Sequence, residues 1–200
     1  KILLLMGISL HLISQPINNM GSVGLLNTPS ARFLEEGALS MNLFRNDEFS
    51  KGNIVAQPYD WLEVSIFYTD IFDKPYDSSL GQSYKDKGFS TKILLLEEDA
   101  FLPQLAIGLT DFAGTGLFSG EFIVASKEIN KFDVTLGLGW GSYESNIKIK
   151  NPFKLFGKSF DARNFDSTNV GNFDIDDYFS GKEASIFGSV AYNFQNQTIF

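Results

Sequence analysis

The stretch KFDVTLGLGWG, residues 131–141, decides the fold class of the chain. Its even-numbered positions carry large apolar side chains: Phe132, Val134, Leu136, Leu138 and Trp140. Its odd-numbered positions after Lys131 carry polar or minimal ones: Asp133, Thr135, Gly137, Gly139 and Gly141. Because successive side chains of a β-strand point to opposite faces, this window predicts a strand with one large apolar face and one small or polar face.

The glycines of this window indicate which face lies inside. Gly weakens a strand, so several glycines on one side favour a crowded surface that backbones or side chains approach closely. The concave interior of a β-barrel is such a surface. The opposite face is then expected to be lipid-facing, with its Trp at the interfacial rim. The lipid-facing residues are predicted to be Phe132, Val134, Leu136, Leu138 and Trp140.

The same alternation recurs, less cleanly, along most of the chain. It gives about eight strands, most of them about ten residues long. That length suits a tilted strand that crosses a bilayer and exceeds the usual five or six residues of soluble sheets. Short connections at 58–61 and 127–132 and long ones at 72–87 and 142–182 are typical of the same architecture.

The expected fold class is therefore all-β. We predict an antiparallel transmembrane-type β-barrel of about eight strands over residues 37–200, either complete or part of a larger barrel. Residues 16–36 are expected to form an N-terminal segment leading into it. Residues 1–15 begin with Lys1 and an apolar run, which predicts a signal peptide. A buried first strand or helix is the alternative, because the run falls short of the roughly 20 residues of a transmembrane helix.

The composition argues against several functional classes. The net charge is −8, there is no cysteine, and the one histidine, His11, lies in the predicted signal peptide. An acidic chain does not favour nucleic-acid binding. The absence of Cys removes thiolate chemistry, and cleavage of the predicted signal peptide would remove His11 and with it histidine chemistry. Carboxylates at 35–36, 97–99 and 174–177 could in principle supply a glycosidase-like acid pair, but solvated loop charge is the simpler interpretation. We expect no catalytic residue, no metal and no cofactor.

A second stretch, TDFAGTGLFSGEFIVASK (110–127), raises the question of a nucleotide enzyme. Gly114, Gly116 and Gly120 have a spacing that could suit a phosphate-binding loop. Such a loop needs a helix after it, whereas GEFIVASKEI is rich in residues that favour a strand. We therefore interpret the three as turn glycines of a hairpin, in which Gly114 and Gly116 supply positive φ.

Five blocks of the chain carry a resemblance to a known family. They are GLLNTPSARFLEEGALSMNL (24–43), PYDWLEVSIFYTDI (58–71), SYKDKGFSTKILLLEED (83–99), LPQLAIGLTDFAGTGLFSGEFIVASK (102–127) and FDVTLGLGWG (132–141). In this order they resemble the YjbH-like family of bacterial outer-membrane proteins, which is associated with exopolysaccharide or capsule production. The resemblance implies a barrel that acts with polysaccharide-secretion partners rather than an enzyme.

Two features depart from that family. Its members are much longer than 200 residues, so we expect this chain to be an N-terminal fragment or a truncated product. Many members carry a lipoprotein Cys after the signal peptide, and this sequence has none, so it does not support a lipid anchor.

The sequence thus predicts a non-enzymatic outer-membrane β-barrel protein associated with exopolysaccharide or capsule secretion. The expected partners are outer-membrane lipid, exopolysaccharide and secretion-system proteins. If sugar is bound, aromatic and acidic residues of the long loops are the expected contacts. The alternative is a soluble periplasmic β-sandwich that binds glycan or protein, in which the apolar faces would pair with each other.

Overall fold

The computed structural model describes residues 15–77, 81–163, 177–194 and 197–199. These residues form twelve β-strands and two short 3-10 helices, Pro152–Leu155 and Lys158–Phe160. The strands are β1 (Gly24–Leu25), β2 (Thr28–Pro29), β3 (Leu39–Arg45), β4 (Phe49–Tyr59), β5 (Leu62–Asp77), β6 (Gln82–Leu96), β7 (Gln104–Thr110), β8 (Gly120–Ile129), β9 (Phe132–Gly141), β10 (Lys148–Lys150), β11 (Glu183–Phe194) and β12 (Gln197–Ile199).

All strand pairs are antiparallel, which confirms the predicted all-β, antiparallel class. The main sheet has the order β10-β11-β9-β8-β7-β6-β5-β4-β3, and β12 also pairs with β11. β1 and β2 form a separate hairpin. In the part of the chain that the structure describes, no helix has the length and apolar character needed to traverse a bilayer.

The segment 72–87 corrects one prediction, because it is not a loop. β5 runs to Asp77 and β6 begins at Gln82, and the two strands stay paired with shifted register around Pro75. The Pro and Asp residues of this segment suggested a connection. Pairing over the rest of a long hairpin keeps the segment extended instead.

The inner face of the main sheet carries buried polar side chains together with buried apolar ones such as Val55, Phe67, Phe122 and Val124, whereas its outer face is largely apolar and exposed. In β5, Glu63, Ser65 and Thr69 are buried, whereas Ile66 and Tyr68 are 52% and 54% exposed. The neighbouring strands repeat this arrangement: Lys51, Asn53, Asp86, Ser90 and Lys92 are buried, and Leu39, Met41, Leu43, Ile54 and Phe89 are exposed. This is the reverse of a soluble sheet, whose apolar face is buried.

The main sheet curves around residues 15–36, which we call the inner segment. β11 and β3 are seven steps apart in the strand order, a distance of about 34 Å in a flat sheet at about 4.8 Å per step. Yet the inner segment reaches both, because Asn42 of β3 bonds the Ile17 carbonyl at 2.9 Å and β2 packs against β11. The segment is folded back on itself by the Ile17–Val23 and Gly24–Pro29 bridges, so the sheet must bend to meet it.

The described strands do not close into a barrel. β3 pairs only with β4, and the opposite end of the sheet is formed by β11 with β10 and β12. The structure therefore establishes a strongly curved antiparallel sheet with a filled inner face. It does not by itself establish the predicted barrel.

The connections differ between the two ends of the sheet. Two-residue turns join β4 to β5 and β8 to β9 at one end, and Asn130 adopts a positive φ of 58° in the second. The longest connections, 111–119 and the one between β9 and β11, begin and end at the opposite end, because consecutive antiparallel strands alternate in direction. The inner segment enters at the end with the short turns, where β3 begins.

Candidate functional site: the filled inner face

A buried ion pair holds the inner segment against β5 and β6. The Lys92 ammonium lies 3.1 Å from Glu63 Oε2, and both side chains are at most 3% exposed. Ser22 donates its hydroxyl to Glu63 Oε1 at 2.6 Å, and the Val23 amide donates to Oε2 at 3.2 Å. Lys92 also donates to the Arg32 carbonyl at 2.7 Å. Burying a charge is costly unless it is paired and hydrogen-bonded, so these contacts fix the segment in one position.

A second set of charges fastens the segment near the short turns. Arg32 binds the Asp133 carboxylate of β9 through two nitrogens, Nε at 2.9 Å and one terminal nitrogen at 2.8 Å. Its other terminal nitrogen contacts Gln104 at 2.8 Å and Glu98 at 2.7 Å. Two-point Arg–carboxylate pairs are among the stronger charged hydrogen bonds. A polar cavity of about 230 Å³ lies beside them, between the inner segment, β9 and β11.

The glycines of the inner face lie where aromatic side chains pack directly against the backbone. A Cβ added to Gly137 would lie 2.3 Å from the Phe187 ring, and one added to Gly108 would lie 2.2 Å from the Phe122 ring. A Cβ on Gly139 would lie 2.5 Å from the Tyr143 Cβ. The crowding predicted for the small face of residues 131–141 is confirmed.

Residues 110–127 form a hairpin and not a phosphate-binding loop. β7 and β8 pair from Gln104–Ser126 to Thr110–Gly120, and a strand rather than a helix follows the glycines. Gly116 adopts a positive φ of 74° in the connection.

The prediction of positive φ at Gly114 was wrong, since this residue is not among the positive-φ glycines. Its constraint is a close approach, because a Cβ there would lie 2.2 Å from Asp111 Oδ1 and 2.7 Å from the Lys87 carbonyl. Gly120, the first residue of β8, is constrained in the same way, because a Cβ there would lie 2.4 Å from Ser142 Oγ.

Trp140 departs from the row that was expected to face lipid. Phe132 and Leu136 are exposed, and Val134 and Leu138 are partly buried. Trp140 is buried, with its ring 5.6 Å from Phe153 and 5.2 Å from Phe179. The alternation placed it correctly on the outer face, but Phe153 and Phe179, from the connection after β9, cover it.

Several of the candidate carboxylates can be placed in the described residues. Glu35 and Glu36 are exposed, Glu98 pairs with Arg32 and Lys127, and Asp99 accepts from the Phe101 and Leu102 amides. Asp174 and Asp176 lie outside the described residues, as does His11 with the predicted signal peptide up to residue 14. Across the described ranges, no group of three or more His, Cys, Asp or Glu side chains could hold a metal ion.

Sequence reasoning missed the buried lysines. Lys51 and Lys92 are each about 1% exposed and point to the inner face. Their positions in the alternation could have predicted this. Lys51 is two residues from Asn53 and Lys92 is two residues from Ser90, so each lysine lies on the polar face of its strand. A charged residue on the small, polar face of such a strand indicates a buried partner there.

Comparisons with known proteins agree on one family. A family model named YjbH, described as "Exopolysaccharide biosynthesis protein YbjH", matches residues 16–200. The "Uncharacterized lipoprotein YjbH" of Escherichia coli (strain K12) is 42% identical over 179 residues. The match covers 88% of this chain and 26% of that relative, so the chain spans about a quarter of the relative's length. No solved structure matches the chain.

Proposed function

Because the chain belongs to the YjbH exopolysaccharide-biosynthesis family, we propose that it is a non-enzymatic part of an outer-membrane β-barrel. In this role it supports exopolysaccharide or capsule secretion. Its outer face contacts lipid, and its polar inner face holds the inner segment. The partners are secretion-system proteins and the exopolysaccharide itself.

One observation carries the membrane part of the proposal, namely the reversed polarity of the main sheet. Lys51, Glu63 and Lys92 are buried, while Leu39, Met41 and Leu43 are 73%, 69% and 76% exposed. Water would favour the opposite arrangement, because burying apolar surface stabilises a soluble fold. A lipid environment removes that penalty, and alternating apolar-out, polar-in strands are the pattern of transmembrane barrels.

The free edges of the sheet support closure with further strands. Among the described strands, β3 presents an unpaired edge without the Lys, Pro or bulge that usually protects such edges. In a bilayer, unpaired backbone groups cost several kcal/mol each. We propose that additional strands of the same barrel pair with β3 and, at the opposite end of the sheet, extend the edge that β10 and β12 begin on β11. The curated relative is about four times the length matched here, which leaves ample sequence for such strands in that protein.

Cysteine labelling tests the membrane location directly, since the chain has no cysteine of its own. Single substitutions Met41→Cys, Ile66→Cys and Leu136→Cys place a thiol on the outer face, and Glu36→Cys places one in the exposed segment before β3. In outer-membrane vesicles, we expect a charged maleimide to label only the control at Glu36. After denaturation, all four should react equally. Equal labelling of all four in the native protein, or recovery without detergent, would favour the soluble β-sandwich.

Secretion is tested in the source cells. Deletion of the gene should reduce the exopolysaccharide recovered outside the cell, and the intact gene should restore it. A variant that loses the Arg32–Asp133 contact, Arg32→Ala, should restore less than the intact gene at equal protein level. Unchanged exopolysaccharide in the deletion strain would contradict the secretion role without affecting the membrane proposal.

A further inference from the structure

Three buried charges converge on the loop 111–119, away from the contacts of the inner segment with Glu63 and Arg32. Asp86 Oδ1 accepts a hydrogen bond from the Thr115 hydroxyl at 2.6 Å. Asp111 Oδ2 accepts from the Phe118 amide at 3.0 Å. The Lys51 ammonium lies 4.3 Å from the centre of the Phe118 ring. Lys51, Asp86 and Asp111 are each at most 2% exposed.

Oxygen atoms in this cluster lack partners. Asp86 Oδ2, Asp111 Oδ1 and Thr69 Oγ1 are buried and form no hydrogen bond within the described residues. Thr69 is fully buried and pairs in register with Lys51 on one side and Asp86 on the other, so its hydroxyl belongs to the same inward row. Buried polar groups in folded proteins nearly always have a partner, so three such oxygens indicate a bound species.

Asp111 lies against the same strand as Asp86. Its Oδ1 is 2.2 Å from the position that a Cβ would take on Gly88, which follows Asp86 by two residues on the inner face. A Cβ built on Gly114, in the loop, would also lie 2.2 Å from Asp111 Oδ1. The two glycines therefore make room for this carboxylate oxygen beside β6.

Lys51 does not satisfy these oxygens. Its ammonium lies over the Phe67 ring at 4.0 Å and next to Met20 Sδ at 3.8 Å. Among the described residues it forms no ion pair within 4.0 Å of either carboxylate. Two ionised carboxylates and one ammonium leave one negative charge, and an uncompensated buried charge is strongly unfavourable.

We propose that a monovalent cation, Na⁺ or K⁺, binds to Asp86 Oδ2, Asp111 Oδ1 and Thr69 Oγ1 and fastens the 111–119 loop to the inner face. Carboxylate and hydroxyl oxygens are the ligands that hard cations prefer. A single excess negative charge beside Lys51 favours a monovalent ion over a divalent one. This site depends neither on the membrane location nor on the secretion role.

Thermal unfolding of the purified chain in detergent tests the site. Na⁺ or K⁺ is exchanged for N-methyl-D-glucamine at constant ionic strength and pH 7. We expect the unfolding midpoint to rise with Na⁺ or K⁺, by about 4 °C per tenfold increase once the site is half-saturated. Thr69→Val, which keeps the side-chain shape, and Asp111→Asn should each abolish this rise.

A matched control separates site binding from a general salt effect. Asp73→Asn removes one carboxylate from an exposed position of β5, and it should keep the full dependence on Na⁺ or K⁺. The proposal would be overturned if the unfolding midpoint did not change with Na⁺ or K⁺. It would also be overturned if Na⁺ or K⁺ raised the midpoints of Thr69→Val and Asp73→Asn equally. A midpoint that responds to micromolar Ca²⁺ but not to Na⁺ or K⁺ would overturn the monovalent assignment. If Asp111→Asn fails to fold, the cation dependence of the unfolding midpoint in Thr69→Val still tests the proposal.

Discussion

At the scale of single residues, the glycines of the inner face are the clearest link between sequence and packing. Gly108, Gly137 and Gly139 each leave space that a ring or a neighbouring Cβ occupies. Protein interiors are close-packed, and one added methyl group forces side chains or backbone to shift. These positions are therefore selected for absence of volume, not for conformational freedom.

Gly108→Ala tests this interpretation. Its Cβ would lie 2.2 Å from Phe122, which is itself buried and packed on Tyr143 with ring centres 5.0 Å apart. We expect a loss of about 1–3 kcal/mol in the free energy of unfolding, typical of overpacking. Gly52→Ala is the matched control, because the nearest atom is Leu43 Cδ2 at 3.4 Å on the outer face. Equal urea midpoints for both variants would contradict the crowding.

Asp111 gives a pH prediction at the same scale. Burial raises the pKa of this carboxyl to about 6, although the Phe118 amide opposes the shift. The folded state thus binds the proton more tightly than the unfolded state. Stability from this group is therefore fully present below about pH 4, where the unfolded carboxyl is also protonated, and is lost as the pH rises to about 6.

The comparison with Asp111→Asn measures this effect in buffer without Na⁺ or K⁺. The variant should be more stable than the parent chain above pH 6, and the difference should vanish by about pH 4. Urea unfolding in detergent at a series of pH values provides the measurement. A difference that is constant over this range would show that Asp111 does not titrate with the expected shift.

At the scale of elements, the inner segment depends on side chains from several strands. Its own hairpin has only the two short strands β1 and β2, and an isolated pair of strands is marginal in water. Glu63, Lys92, Ser126 and Asp133 supply the contacts that place it. The position of the segment therefore depends on contacts that the sheet supplies.

Substitutions in the Glu63–Lys92 pair test how strongly these contacts hold the inner segment. Glu63→Gln leaves the Lys92 charge buried without its counter-ion, so we expect a loss of about 3–5 kcal/mol. The double variant Glu63→Gln/Lys92→Met should recover much of that loss, because both charges are removed. Glu144→Gln breaks the exposed pair with Lys148 and should cost less than about 1 kcal/mol. Denaturant midpoints in detergent give all three values.

Limited proteolysis adds a local readout for the same variants. In Glu63→Gln, residues 15–36 should be cut faster than in the parent chain, because their main anchor is lost. If global stability falls while cleavage of this segment stays unchanged, the pair supports the sheet and not the segment.

At the scale of the whole molecule, the exposed apolar rows set the environment that the fold requires. They continue from β3 across β5 and β6 to β9 and β11, where Leu136 and Val190 are 62% and 56% exposed. Exposed apolar surface of this extent is unusual in a soluble monomer. It agrees with the proposed lipid contact.

A pair of arginine substitutions tests that environment. In a bilayer, Leu136→Arg should destabilise the protein by about 2–4 kcal/mol, because the position lies along the middle of the outer face. Phe132→Arg, beside the two-residue turn, should cost about 0–1 kcal/mol. Unfolding of protein inserted in lipid vesicles provides the comparison. Neutral effects at both positions would indicate a water-facing surface.

The amino-acid pattern alone establishes the strand class, the face of most side chains and the family. Alternation of apolar and polar residues in 131–141 and in β5 predicts the strands and the face of each side chain, because side-chain direction in a strand follows from covalent geometry. The same local logic identified residues 110–127 as a hairpin. The ordered blocks within 24–141 pointed to the family that the comparisons then established.

What covers each face of the sheet follows from the three-dimensional fold. Trp140 follows the alternation but is buried, because a connection distant in sequence folds over it. Glu63 and Lys92 lie 29 positions apart in sequence, and antiparallel register places them opposite each other. Thr69 and Asp86 lie opposite each other in the β5–β6 register, and Asp111 approaches β6 at Gly88 from the connection after β7. Such contacts depend on pairing and bending over long separations, which local patterns do not encode.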